Sequence, residues 1–218
     1  MDAADYLQTY TVTELEKCAQ HQLHKLKELG HFTIPVDIEA IVEKLNIEID
    51  VKRGLKENHS VWGMVSIDED TDELVILVDD TLLDHDNFLN LYRMTVAEEF
   101  AHSLIHKKAI MKIKTIEDFK ALQTHPDWHK NDRNAKRLAA ALLIPCENVL
   151  NDSRQLYRQM VTIAGYNNPE VIKKYMANDL AKRYEVSVQA MKIRLNEWPV
   201  KVMERIDKAM INGLDFLD

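Results

Sequence analysis

Between Thr11 and Leu29 apolar side chains recur at Leu15, Cys18, Leu23, Leu26 and Leu29, the spacing of one helix face, and Gly30 supplies a stop. A second helix is predicted after Ile34-Pro35-Val36, with Asp37 as N-cap and a stripe of Ile38, Ile41, Val42 and Leu45. The period then drops to two. Ile47–Lys52, Val61–Ile67 and Leu74–Val78 read as three strands, and the acidic run Asp68–Asp72 as the turn of a hairpin. From Asn87 onward the pattern is helical: a long helix to about Lys108 and a short one near Ile116–Leu122. A loop holding His125-Pro126-Asp127-Trp128-His129 follows, then a helix from about Asp132 to Ile144 that stops at Pro145. Pro169–Tyr184 and Ser187–Trp198 carry clear start signals.

These elements predict an α+β chain, with a small antiparallel sheet of about three strands packed with a mainly helical core. The expected division is an N-terminal helix over residues 1–32, a central domain over 33–165 and a C-terminal helical pair over 166–218.

Composition narrows the function classes. A net charge of −8 over 218 residues argues against a dedicated nucleic-acid binder, whose affinity comes from Lys and Arg contacts to phosphate. Cys18 and Cys146 have no close-spaced partner cysteine and read as reduced thiols. No stretch is long and apolar enough for a membrane span, and the acidic start lacks the basic and apolar regions of a signal peptide. The expected compartment is the cytoplasm. Asp68–Asp72 lacks the glycine and distal glutamate of a calcium loop and reads as a solvated turn.

The chemistry lies on the long helix. Glu98, His102 and His106 follow at i, i+4 and i+8, bordering an apolar face of Met94, Ala97, Phe100, Ala101, Leu104 and Ile105. Ionisable groups beside a buried stripe need something to satisfy them, and a metal ion is one answer. In the HExxH motif two ligands four apart face one ion, and the intervening Glu stands beside the attacking water as general base. Here Glu98 occupies the first ligand position, Glu99 the base position and His102 the second ligand position, so the motif becomes EExxH. His102 and His106 form a second workable pair, with Ser103 in the base position. The alternative is an ordinary amphipathic helix with a Glu98–His102 ion pair. On the later helix, Asp132 lies at the N-terminal end of the stripe Ala135, Leu138, Ala139, Leu142 and Leu143, facing inward unless Asn131 or Asp132 caps the helix.

Four blocks of the chain together resemble the ImmA/IrrE metallo-endopeptidase family. They are Ile34-Pro35-Val36-Asp37 through Ile47, Tyr92 through His102 with Leu104-Ile105-His106, Asp132 through Pro145, and Leu180 through Ala190 with Arg194-Leu195. They occur in order over about Thr33 to Trp198. The resemblance implies a zincin-like fold, metal ligands at Glu98, His102 and Asp132, and Glu99 as catalytic base. His106 matches a second histidine that orients its neighbours. Glu98 stands where the family has His, and Asp132 where it has Glu. The implied cofactor is Zn2+, with Mn2+ or Fe2+ favoured more than usual by two carboxylates. The implied activity is limited cleavage of a helix-turn-helix repressor, often one encoded nearby on a mobile element or phage. The alternative is an inactive pseudo-peptidase that binds such a regulator.

The C-terminal pair itself resembles a helix-turn-helix, with Ser187 as N-cap and Lys173, Lys174, Lys182, Arg183, Lys192 and Arg194 nearby. Within the family such a pair belongs to the peptidase architecture, so direct DNA binding is not expected. His125, Asp127 and His129 read as an exposed loop rather than a second metal site.

Overall fold

In the computed structural model, which describes residues 3–68, 71–84, 86–113, 115–163 and 168–212, a capping box opens the first helix. Thr11 accepts from Glu14 N–H, and Glu14 accepts in return from the Thr11 backbone. Helix α1 (Val12–Glu28) ends before Gly30, whose φ of +72° suits a residue without a Cβ. Asp37 caps α2 (Ile38–Glu43) through Ala40 N–H at 3.0 Å. Cys18 and Cys146 are not joined in a disulfide.

Strands β1 (Glu48–Lys52), β2 (Gly63–Ile67) and β3 (Leu74–Asp79) form one sheet in the order β1-β3-β2. The expected antiparallel sheet is in fact mixed: β2 pairs antiparallel with β3, but β1 runs parallel to it. The physical reason lies in the strands' own patterns. Leu74 to Val78 is a continuous apolar run fit for a central strand, whereas β1 exposes Glu48, Asp50 and Lys52 and suits an edge. A short helix not foreseen in the sequence, α3 (Leu55–His59), connects β1 to β2 between left-handed Gly54 and Ser60. Asp68 N–H donates to Glu73 C=O at the hairpin end; residues 69 and 70 of the expected acidic turn lie outside the described residues.

Register decides what β2 offers. Asp79 N–H donates to Trp62 C=O at 2.9 Å, so Met64 and Ser66 exchange bonds with β3 at Leu77 and Val75. Gly63, Val65 and Ile67 therefore turn their N–H and C=O groups to the outer edge of the sheet.

Helix α4 (Leu89–Ile105) packs on β2 and β3. It ends three residues earlier than expected, at His106 (φ −122°, ψ 16°), and α5 (Lys107–Ile110) follows. After α6 (Ile116–Thr124), α7 (Trp128–Leu143) starts one turn before the expected Asp132. Trp128 and His129 thus lie on a helix rather than in a loop. Asn131 N–H already bonds to Asp127 C=O at 3.2 Å, so Asp132 is inside the helix and does not cap it.

The chain gathers into two compact units, one of residues 1–33 and 37–142, the other of 34–36 and 143–218. The second holds α8 (Cys146–Val161), α9 (Pro169–Tyr184), α10 (Val188–Asn196) and α11 (Val202–Asn212). Ser187 caps α10 through Ala190 N–H, as the sequence predicts. Buried Tyr184 donates its hydroxyl to Asp152 Oδ2 at 2.7 Å, and Arg183 Nη1 lies 3.1 Å from Asp152 Oδ1. Buried Arg194 donates from Nε to Ile144 C=O at 3.0 Å. Among the described residues no helix is long and apolar enough to cross a membrane.

Candidate metal centre

Helices α4 and α7 meet at Glu98, His102 and Asp132, each of which offers a donor atom within 4.8 Å of the other two. His102 Nε2 lies 3.9 Å from Asp132 Oδ1, an ion-pair separation rather than a hydrogen bond. The shorter arm of aspartate is therefore no obstacle to its reaching the histidine. Both helices carry fully buried alanines next to these residues (Ala97 and Ala101 on α4, Ala135 and Ala139 on α7), and small side chains let helix axes come close.

A hydrogen-bond chain fixes the tautomer of His102. Asn131 Nδ2 donates to Asp127 C=O at 2.9 Å, which turns Asn131 Oδ1 towards His106 Nε2 at 3.2 Å. That oxygen needs a proton from His106 Nε2, so the neutral ring keeps a lone pair at Nδ1. His102 Nδ1 lies 2.9 Å from it and supplies the proton. The lone pair of His102 is thereby left on Nε2, facing the two carboxylates. Burial holds both rings neutral: His102 is pushed down to about 3, with His106 and Lys136 adding to the effect, and His106 to about 4. With their Nδ1 atoms bonded to each other, the two histidines are not set to share one ion. His106 thus stands between His102 and Asn131.

The carboxylates are in a contrasting state. Burial raises Glu98 to about 7, with Lys136 lowering it and Asp132 raising it. Glu99 is raised to about 8, first by burial and then by the Glu98 charge, while a hydrogen bond from Val65 N–H lowers it. That bond comes from the outer edge of β2. Close approach of β2 to α4 depends on Gly63, where a Cβ would lie 2.5 Å from Thr95 Cγ2 and 3.1 Å from Glu99 Cγ.

These groups line a cavity of about 520 Å³. Its other walls are Val61–Gly63 and Val65, the apolar side chains of Leu91, Met94, Ile110, Ile113, Phe119 and Leu122, and Trp128. Trp128 stacks on His102, ring centroids 5.3 Å apart and planes 12° from parallel. His129 also lines the cavity, while His125 Nδ1 pairs at 3.8 Å with an Asp127 carboxylate that is largely exposed.

One imidazole and two carboxylates, open to a cavity on one side, suit a divalent ion that binds nitrogen and oxygen at about 2.0–2.2 Å. Lys136, absent from the sequence-based site, also enters it. Its Nζ lies 2.7 Å from Asp132 Oδ2 and 3.6 Å from Glu98 Oε1. Burial lowers its pKa, but the two acids outweigh that and hold it above the usual range. Tyr10 ties the two helices together from outside: its hydroxyl donates to Ile105 C=O at 3.2 Å, and its own C=O accepts from Asn134 Nδ2 at 3.4 Å.

None of the curated proteins matches the chain. Residues 82–196 match the profile of a peptidase family described as the IrrE N-terminal-like domain. The matched stretch takes in α4, α7, α9 and α10 and covers more than half of the 218 residues. With both helices of the candidate centre inside it, the chain belongs to the IrrE N-terminal-like peptidase family.

Proposed function

We infer that the chain is a metal-dependent endopeptidase whose ion is held by Glu98, His102 and Asp132, with Glu99 as general base. The observation that carries this is the convergence of Glu98, His102 Nε2 and Asp132, donor atoms within 4.8 Å of one another, at the wall of a cavity. Glu98, His102 and Asp132 would hold Zn2+, or with this donor set Mn2+ or Fe2+, which when bound would supply Lewis acidity to a scissile carbonyl and to water. Glu99, held near neutrality by its surroundings, accepts a proton from water and returns it to the leaving amine. Apart from Val65 N–H, which donates to Glu99, the outer edge of β2 can pair with an extended peptide by strand addition. The apolar wall formed by Leu91, Met94, Phe119 and Leu122 suits a bulky apolar side chain of that peptide.

A cytoplasmic helix-turn-helix repressor is the substrate we favour, as the family suggests. Direct DNA binding by α9 and α10 is disfavoured, because three of the basic residues there are engaged internally. Lys173 pairs with Glu170 and Asp207, Arg183 with Asp152, and buried Arg194 with Ile144 C=O. An inactive regulator-binding protein is the alternative, favoured by the ammonium of Lys136 among the ligands.

A peptide library digested by the Zn2+-loaded chain and read by mass spectrometry tests the activity. Glu99→Gln should retain the metal and slow cleavage by about 10²–10⁴-fold. Stoichiometric metal with no cleavage by the wild type would favour the inactive alternative, and undiminished cleavage by Glu99→Gln would refute the base assignment.

A further inference from the structure

A three-donor metal site has no need of a cationic side chain, yet the Lys136 ammonium bridges two of its donors, Asp132 at 2.7 Å and Glu98 at 3.6 Å. Lys136 stands one helical turn beyond Asp132, so its stem rises beside that carboxylate and its head reaches across to α4. The side chains of Glu98 and Asp132 are 22% and 24% exposed, whereas Lys136 is 55% exposed. The ammonium therefore reaches in from the solvent side and has room to swing back.

We propose that Lys136 is a tethered cation that holds the Glu98–Asp132 pair when no metal is present and must yield the pair when a divalent ion enters. The centre then takes metal more weakly than its three donors would alone. This rests on the metal reading above. Two carboxylates drawn from different helices into one site repel each other, and an ammonium between them offsets that repulsion. A divalent ion in the same space meets a like charge within a few ångströms and competes for the same oxygens. The opposite role is equally concrete. Lysine could orient Asp132 through Oδ2 while Oδ1 takes the ion, as hydrogen-bonded carboxylates do around metals. The two roles differ in the sign of one measurement.

Calorimetric titration of Zn2+ and of Mn2+ into the chelator-stripped full chain distinguishes them. Lys136→Met keeps the apolar stem and removes the charge; Lys136→Gln serves as a second variant should the first fold poorly by circular dichroism. Both should bind metal about tenfold or more tightly than the wild type. Their metal-free forms should melt at lower temperature, and their metal-induced stabilisation should be larger. Equal or weaker binding by both variants, with binding still abolished by His102→Ala, overturns the proposal and leaves the metal reading intact. An absence of binding in every variant overturns the metal reading and this proposal with it.

Discussion

Among the described residues, the polar groups around Asp152 and those between α4 and α7 are built to opposite rules. Around Asp152 the polar groups answer one another: Tyr184 donates to one carboxylate oxygen and Arg183 meets the other. Between α4 and α7 the polar groups answer one another only in part, through the Lys136 ammonium beside Asp132 and Glu98 and the His102–His106–Asn131 chain. Glu98 and Glu99 are pushed to about 7 and 8, and His102 Nε2 faces Asp132 at 3.9 Å without a hydrogen bond. A fully paired network stabilises a fold, whereas one whose carboxylates stay strained by burial is held in place by the fold for a ligand. The first should therefore respond to mutation in stability and the second in binding.

The largest expected effect is on the second. His102→Ala should abolish stoichiometric metal, measured by elemental mass spectrometry, in a variant whose folding is checked by circular dichroism and which melts lower because buried His106 loses its partner. Next, Asn131→Ala removes the acceptor that fixes the His106 and His102 tautomers. It should weaken metal binding by about 10–100-fold, the usual effect of losing such a partner, and calorimetry would show it. Tyr184→Phe should do the reverse. It leaves metal affinity unchanged and lowers stability to urea by about 1–2 kcal/mol, because buried Asp152 loses a donor. A Tyr184→Phe variant that loses metal would break the contrast.

The smallest effect is a pH dependence in the chelated protein. Glu98 and Glu99 hold protons in the folded state to about 7 and 8 against an ordinary 4.5. Their contribution to stability is intact below 4.5 and is lost as pH rises through those values. His102 and His106, near 3 and 4 against 6.5, contribute above 6.5 and lose that contribution as pH falls through 4. The wild type and Glu99→Gln should thus melt closest together below pH 4.5, with the variant gaining by a few degrees, roughly, up to pH 8. A difference that does not vary with pH would remove Glu99 from the strained set.

Much of this centre is legible in the sequence because helical spacing is local. Glu98 and His102 share a face by periodicity alone, and Asp37 and Ser187 cap helices as their residue types predict. The early start of α7 has a signal too, since Asp127 after Pro126 is a common entry to a helix. Lys136 is signalled only as an (i, i+4) partner of Asp132; its reach to Glu98 needs two helices and no local pattern carries it. The same holds for Gly63, Val65 N–H and Asn131, whose roles depend on strand register or on a ring from another helix. The parallel β1 was hidden for a related reason: alternation marks a strand but not its neighbour's direction.

Tyr10 lies well outside the stretch that matches the family, yet it straps the last turn of α4 to α7. So does β2, whose edge holds Glu99. A chain trimmed to residues 82–196 would keep every proposed ligand and lose both clamps. The proposed ligands and their nearest supports, His106 and Asn131, thus lie within the family match, while the outer clamps at Tyr10 and β2 lie beyond it.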